Sequence, residues 1–118
     1  MLHPSMVRGP GEIDTATFFG DMCPRALALR AAGAAGGRVA FFLSGDRGGT
    51  WVIDLSANQV EAGPPRRAVD LVCVMGVDDF EEMLRGRLDA AAAMEAGDLE
   101  ISGERDMLLA LSDVFTMA

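Results

Sequence analysis

The fold is decided in VDDFEEMLRGRLDAAAAMEAGDLEISGERDMLLALSDVF, residues Val77 to Phe115. Gly86, Gly97 and Gly103 punctuate this stretch, each where a periodic segment should stop. Phe80, Met83 and Leu84 form one apolar stripe. Met107, Leu108, Leu111, Val114 and Phe115 form a second, at the i, i+4, i+7 spacing of a helix face. Between them lie a short helical piece at 90–96, carrying Met94, and a strand-like run at 98–102. The expected helices therefore span 78–85, 90–96 and 104–115. They carry more apolar surface than a small sheet needs. Periodicity leaves open whether that surface is a solid core or a lid over a cavity. Methionine adapts to irregular guests through its flexible thioether, which favours the lid.

Working outward, residues 38–44 and 50–56 read as strands joined by the loop 45–49, and 59–62 as a weaker strand after the turn at Ala57 and Asn58. Pro64 and Pro65 break the chain before a strong strand at 69–75. A period of two places Phe41, Leu43, Trp51, Ile53, Leu55, Leu71, Cys73, Met75, Leu99 and Ile101 on inner faces. Phe42, Val52, Val72 and Val74 then share the opposite face with Asp54, Glu100 and Ser102. That face is too apolar to look only at water, so a cover is expected. Upstream, a helix should start at Asp14 or Thr15, and Pro24 should separate it from a second helix over 25–32. The run AAGAAGG at 31–37 reads as a helix exit and link. Residues 1–13 read as an irregular leader, and 14–118 as one domain.

With 118 residues and half of them hydrophobic, the chain is long enough to bury a core. No apolar run reaches the roughly 20 residues of a bilayer span, and the N-terminus lacks the layout of a secretory signal. A cytoplasmic protein without stable membrane insertion is expected, with Cys23 and Cys73 reduced. A net charge of −8 disfavours nucleic acid, which needs clustered Lys and Arg, and disfavours electrostatic docking on anionic membranes.

The run F-x-L with W-V-I-D-L across 41–55, then D-L-V-C-V-M at 70–75, is similar to the sterol carrier protein 2 family. So are D-D-F-E-E-M-L-R-G-R-L-D, A-A-M-E-A-G-D-L-E-I-S-G-E and the closing L-x-x-L-x-x-V-F. The resemblance covers 38–115, and the short bacterial single-domain members are the nearer comparison. It implies an α+β fold: a five-stranded, mainly antiparallel sheet with helices packed on one face, enclosing an apolar tunnel. In the family that tunnel holds fatty acids, acyl-CoA, phospholipids or sterols. Carried onto this chain, the wall comprises Phe41, Leu43, Trp51, Ile53, Leu71 and Met75 from the sheet. The helical side comprises Phe80, Met83, Leu84, Leu88, Met94, Leu108, Leu111 and Phe115. The chain departs from the basic peroxisomal carriers in being acidic and in ending FTMA.

No residue set resembles a catalytic constellation. Asp78, Asp79, Glu81 and Glu82 fall in the first turn of a helix, where the dipole favours negative charge. Asp54 lies within a strand and should pair with Arg38 or Arg66, or face solvent. His3 is the only histidine and lies in the leader, so neither a triad nor a zinc site can be assembled around it. The loop 45–49 lacks the Lys-Ser/Thr of a phosphate loop. The expectation is a non-catalytic lipid-binding or lipid-transfer protein with no cofactor and no metal. The alternative is an interaction module, dimeric through Phe42, Val52, Val72 and Val74 or assisting an enzyme of apolar substrates.

Overall fold

The structure is a computed structural model that describes residues 14–30 and 36–117. The expected leader, and most of the link at 31–37, lie outside the described residues. Five strands, β1 Arg38–Ser44, β2 Gly49–Asp54, β3 Gln59–Ala62, β4 Leu71–Gly76 and β5 Leu99–Gly103, form one sheet in the order β3-β2-β1-β4-β5. The central β1 and β4 are parallel, and the other neighbours are antiparallel. Phe41 stands opposite Trp51 on one side and Cys73 on the other, with Ile101 beyond Cys73. This register gathers the alternating apolar residues of all five strands onto one face.

Both β3 and β4 run parallel to β1, so the connection 63–70 must return along the length of the sheet. It crosses the outer face, where Arg67 Nη2 reaches Asp54 Oδ2 at 3.3 Å. Beneath it Ala40 and Val52 are completely buried. This crossover is the expected cover, and it removes Val52 from any exposed interaction face. It also shields a charged cluster: Arg38 Nη2 lies 3.0 Å from Glu61 Oε1, and Arg38 Nη1 lies 4.0 Å from Asp54. Asp54 is thus paired with Arg38 and Arg67. Arg66, its neighbour in sequence, is not a partner. Strand β2 ends at Asp54, two residues earlier than expected, because the Asp54 carboxylate accepts from the Ala57 N–H at 2.9 Å and turns the chain.

All helices lie on the inner face. The first helical stretch opens as α1 Thr15–Thr17, widens into a π-helical segment Phe18–Met22, and closes as α2 Cys23–Ala28. Asp14 is its cap, accepting from the Thr17 N–H at 2.8 Å. Pro24 does not divide it. The π turn ends with the Cys23 N–H bonded to the Phe18 carbonyl, and Pro24 falls in the first turn of α2, where its missing N–H is tolerated. The α2 helix stops at Ala28, short of the expected 32.

Helix α3, Val77–Leu84, follows β4 directly from an extended Gly76. Helix α4, Ala90–Ala96, is capped by Asp89, whose carboxylate accepts from Ala92, and ends at Gly97 in the left-handed region (φ 83°). Helix α5, Met107–Met117, completes the layer; residues 104–106 form its lead-in turn and not its first helical turn.

Candidate functional site

A cavity of about 370 Å³ lies between β4 and β5 on one side and α4 and α5 on the other. That is within the range of small-molecule sites. Phe41, Cys73, Met75, Leu99 and Ile101 form its floor. Met83 closes one side, Ala90, Ala91 and Met94 come from α4, and Leu108, Leu111, Ser112 and Phe115 come from α5. The exposed members, Ala90, Ala91 and Ser112, mark a mouth between α4 and α5. The Ser112 hydroxyl and the Cys73 thiol are the only polar side-chain groups in this wall. Burial pushes the Cys73 thiol up to about 12, so it is uncharged at neutral pH. The wall thus contains no charge, and the cavity suits hydrocarbon.

Of the residues the sequence assigns to a tunnel wall, the structure brings Phe41, Met75, Met83, Met94, Leu108, Leu111 and Phe115 to the cavity. Leu43, Trp51, Ile53, Leu71, Phe80, Leu84 and Leu88 stand elsewhere in or against the core and do not reach it. The packing of the first helical stretch accounts for the difference. Phe18 and Phe19, consecutive in the π-helical segment, are both buried, each about 1% exposed. Phe19 stacks between Trp51 (centroids 4.9 Å, planes 9° apart) and Phe80 (5.5 Å, 1°). Phe18 meets Phe80 and Phe115 edge-on at 5.9 and 4.9 Å. These rings fill the β1–β2 half of the interior and confine the open volume to the β4–β5 half. Cys73, Ala90, Ala91, Leu99, Ile101 and Ser112 were not assigned to the wall. The inward alternation of Cys73, Leu99 and Ile101 was a usable signal, whereas the alanines of α4 carry none.

A second, polar hollow of about 520 Å³ lies beside the β1–β2 loop, lined by residues such as Ser44, Asp46, Arg47, Asp78 and Asp79. Its one cation is committed to two carboxylates. Arg47 pairs with Asp78 at 2.6 Å and with Glu81, and Glu81 accepts from the Thr15 N–H at 2.8 Å. Burial alone would raise the Glu81 carboxyl, but the bonds from Thr15 and Arg47 outweigh it and hold it below the usual carboxylate range. Among the described residues, no three His, Cys, Asp or Glu side chains are grouped to hold a metal ion, and no helix is long and apolar enough to cross a membrane.

A mixed five-stranded sheet, roofed on one face by helices that leave an apolar cavity, defines a class of small α+β domains. The chain belongs to the SCP-2 sterol transfer family, which it matches over residues 20–116. It is similar in fold to palmitated SCP2L2 of Aedes aegypti (TM-score 0.67, 22% identity, covering 87% of this chain and 95% of that one). It is also similar to the same organism's Sterol Carrier Protein-2 in complex with the C16 fatty acid palmitate (TM-score 0.66, 20% identity, 84% and 91% covered). Hydroxysteroid dehydrogenase-like protein 2 of Mus musculus is 37% identical over 78 residues, which is 64% of this chain and 16% of that protein. The chain thus spans under a fifth of the length of the curated relatives it matches.

Proposed function

We propose that the protein binds or transfers a lipid, taking its apolar chain into the cavity between β4–β5 and α4–α5 without altering it chemically. The observation that carries this reading is a 370 Å³ cavity with an uncharged wall, in a member of a family described by sterol transfer. The palmitate in the two mosquito relatives supports it. Phe41, Met75, Met83, Met94, Leu108, Leu111 and Phe115 touch the chain in this reading. Leu43, Trp51, Ile53, Leu71, Phe80, Leu84 and Leu88 back the wall. Each buried methylene contributes about 0.8 kcal/mol, so a mid-length chain binds without any polar contact. A reducing cytoplasm suits the two buried free thiols, Cys23 and Cys73.

Native mass spectrometry of the purified protein should show a co-purifying lipid. Ala91→Trp, which fills the mouth from an exposed helical position, should lower occupancy about tenfold with the circular dichroism unchanged. No lipid in the wild type, together with a neutral fluorescent probe that binds wild type and Ala91→Trp alike, would overturn the reading.

A second reading, an accessory domain for an enzyme of apolar substrates or a homodimer, is favoured by the much longer dehydrogenase-like relatives. It also has a face to use: Phe42 and Val72 are half-buried and Val74 is exposed on the uncovered part of the sheet. Light scattering of wild type and Val72→Glu tests it, and a monomer in both cases excludes the dimer.

A further inference from the structure

The open volume stops at one ring. Phe41 borders the cavity, and so does Cys73, its neighbour across the β1–β4 seam, whereas Trp51, its neighbour on β2, does not. On the far side of Phe41 the interior is filled. Phe19 and Phe80 each lie 5.6 Å from it, centroid to centroid, and neither is more than 1% exposed. Phe115, which also lines the cavity, lies 6.0 Å from Phe41 with the planes 27° apart, and Phe18, outside the cavity, packs against Phe115 at 4.9 Å. Phe41 and Phe115 thus form an end wall with further rings packed behind both. The walls differ in stiffness. A ring held among other rings has no room to turn, so the end wall yields only if the whole aromatic block moves. Met75, Met83 and Met94 border the rest of the cavity with flexible thioethers that adapt to a guest.

We infer that Phe41 sets the length of the bound chain: the chamber takes one acyl chain of roughly 15 carbons, and a longer chain leaves its excess outside the mouth. The inference rests on the chain-binding reading above and narrows its ligand. A cavity of about 150 Å³ accommodates benzene, which is roughly 25 Å³ per carbon. At that ratio the 370 Å³ cavity holds roughly 15 carbons. The chain enters beside Ala90, Ala91 and Ser112 and runs over the β4–β5 floor until it meets Phe41. Carbons up to that point leave water, and each tightens binding; carbons beyond it stay exposed and add little. Width is the looser criterion, because methionines border the sides. A kinked or branched chain of the same length is therefore accepted.

Displacement of a neutral fluorescent probe from the full chain tests this, using saturated fatty acids of about 10 to about 20 carbons, each below its aggregation limit. For the wild type, affinity should rise about two- to fourfold per added carbon and level off at about 16 carbons. Phe41→Ala removes about six ring carbons, and after partial collapse of the site it should move the break out by about four carbons. Phe41→Leu, the milder change, should move it by about two. A ring that served only to support the fold would, when removed, weaken every chain alike and leave the break in place. A wild-type series with no break overturns the inference while leaving chain binding intact. So does a break that stays at the same length in Phe41→Leu, even if Phe41→Ala does not fold. If no chain length displaces the probe, or if Ala91→Trp affects none of them, the chain-binding reading itself fails.

Discussion

At Glu81 a carboxylate 1% exposed accepts from both the backbone N–H and the hydroxyl of Thr15, at 2.8 and 3.1 Å, and pairs with Arg47. It fastens the first helical stretch and the β1–β2 loop to α3. In the sequence it was one of four acids in a helical first turn, and nothing in that spacing shows that only this one turns inward. Bonds to a buried ionised group are worth about 1.5–3 kcal/mol, so Glu81→Ala should lower the urea-unfolding free energy by about 2–3 kcal/mol. Asp78→Ala, at a site 85% exposed, should stay within about 0.5 kcal/mol. Because folding depresses the Glu81 carboxyl below its ordinary 4.5, its contribution is full above that value and is lost as pH falls through the folded-state value. Glu81→Gln should therefore lose less stability than wild type between pH 5 and pH 3. The two thiols are held protonated by burial, both up to about 12. Iodoacetamide at pH 8 should label neither quickly in the native protein and both in denaturant.

At the scale of elements, the alternation and the glycines were legible and the packing of the first helical stretch was not. β1, β3 and α4 fall at the expected residues because period two and a clear N-cap and C-cap leave no rival. The continuous passage through Pro24 was hidden, since a π turn has no sequence signal as plain as a proline. Phe18 and Phe19 lie about 100° apart on a helix and so within one apolar cluster with Met22, but the pattern does not tell which sheet residues their rings will cover. Hence Trp51 and Phe80 share the expected face yet are packed under rings, while Met83 and Met94 border the cavity. The glycine ends also differ in kind. A side chain at Gly97 meets open space, so Gly97→Ala should cost about 1–2 kcal/mol for its left-handed backbone alone. At Gly103, also at positive φ (109°), a Cβ would collide with the Asp70 carbonyl. Gly103→Ala should thus be the more damaging in thermal melts, because the β5–α5 corner rests on the start of β4.

For the whole molecule, occupancy and stability are linked, because a ligand that enters the folded cavity has no counterpart in the unfolded chain. At a hundredfold excess over its dissociation constant a lipid should stabilise the protein by about 2.7 kcal/mol, or roughly 10 °C in Tm for a chain of this length. A matched melt of stripped and loaded protein measures it. Every cavity-lining residue except Phe41 comes from 73–115, so the open volume is built almost wholly by one contiguous stretch of chain. The aromatic-filled half draws mainly on the residues before it, and the two halves share the parallel β1–β4 seam. Local opening free energy follows packing density, so the hollow half should be the less protected against amide exchange. Backbone amides of α4 and α5 should exchange in deuterium oxide well before those of β1 and β2, and a bound lipid should slow α4 and α5 selectively. Transient fraying of α4 and α5 would then widen the mouth between them, through which a water-insoluble chain enters and leaves.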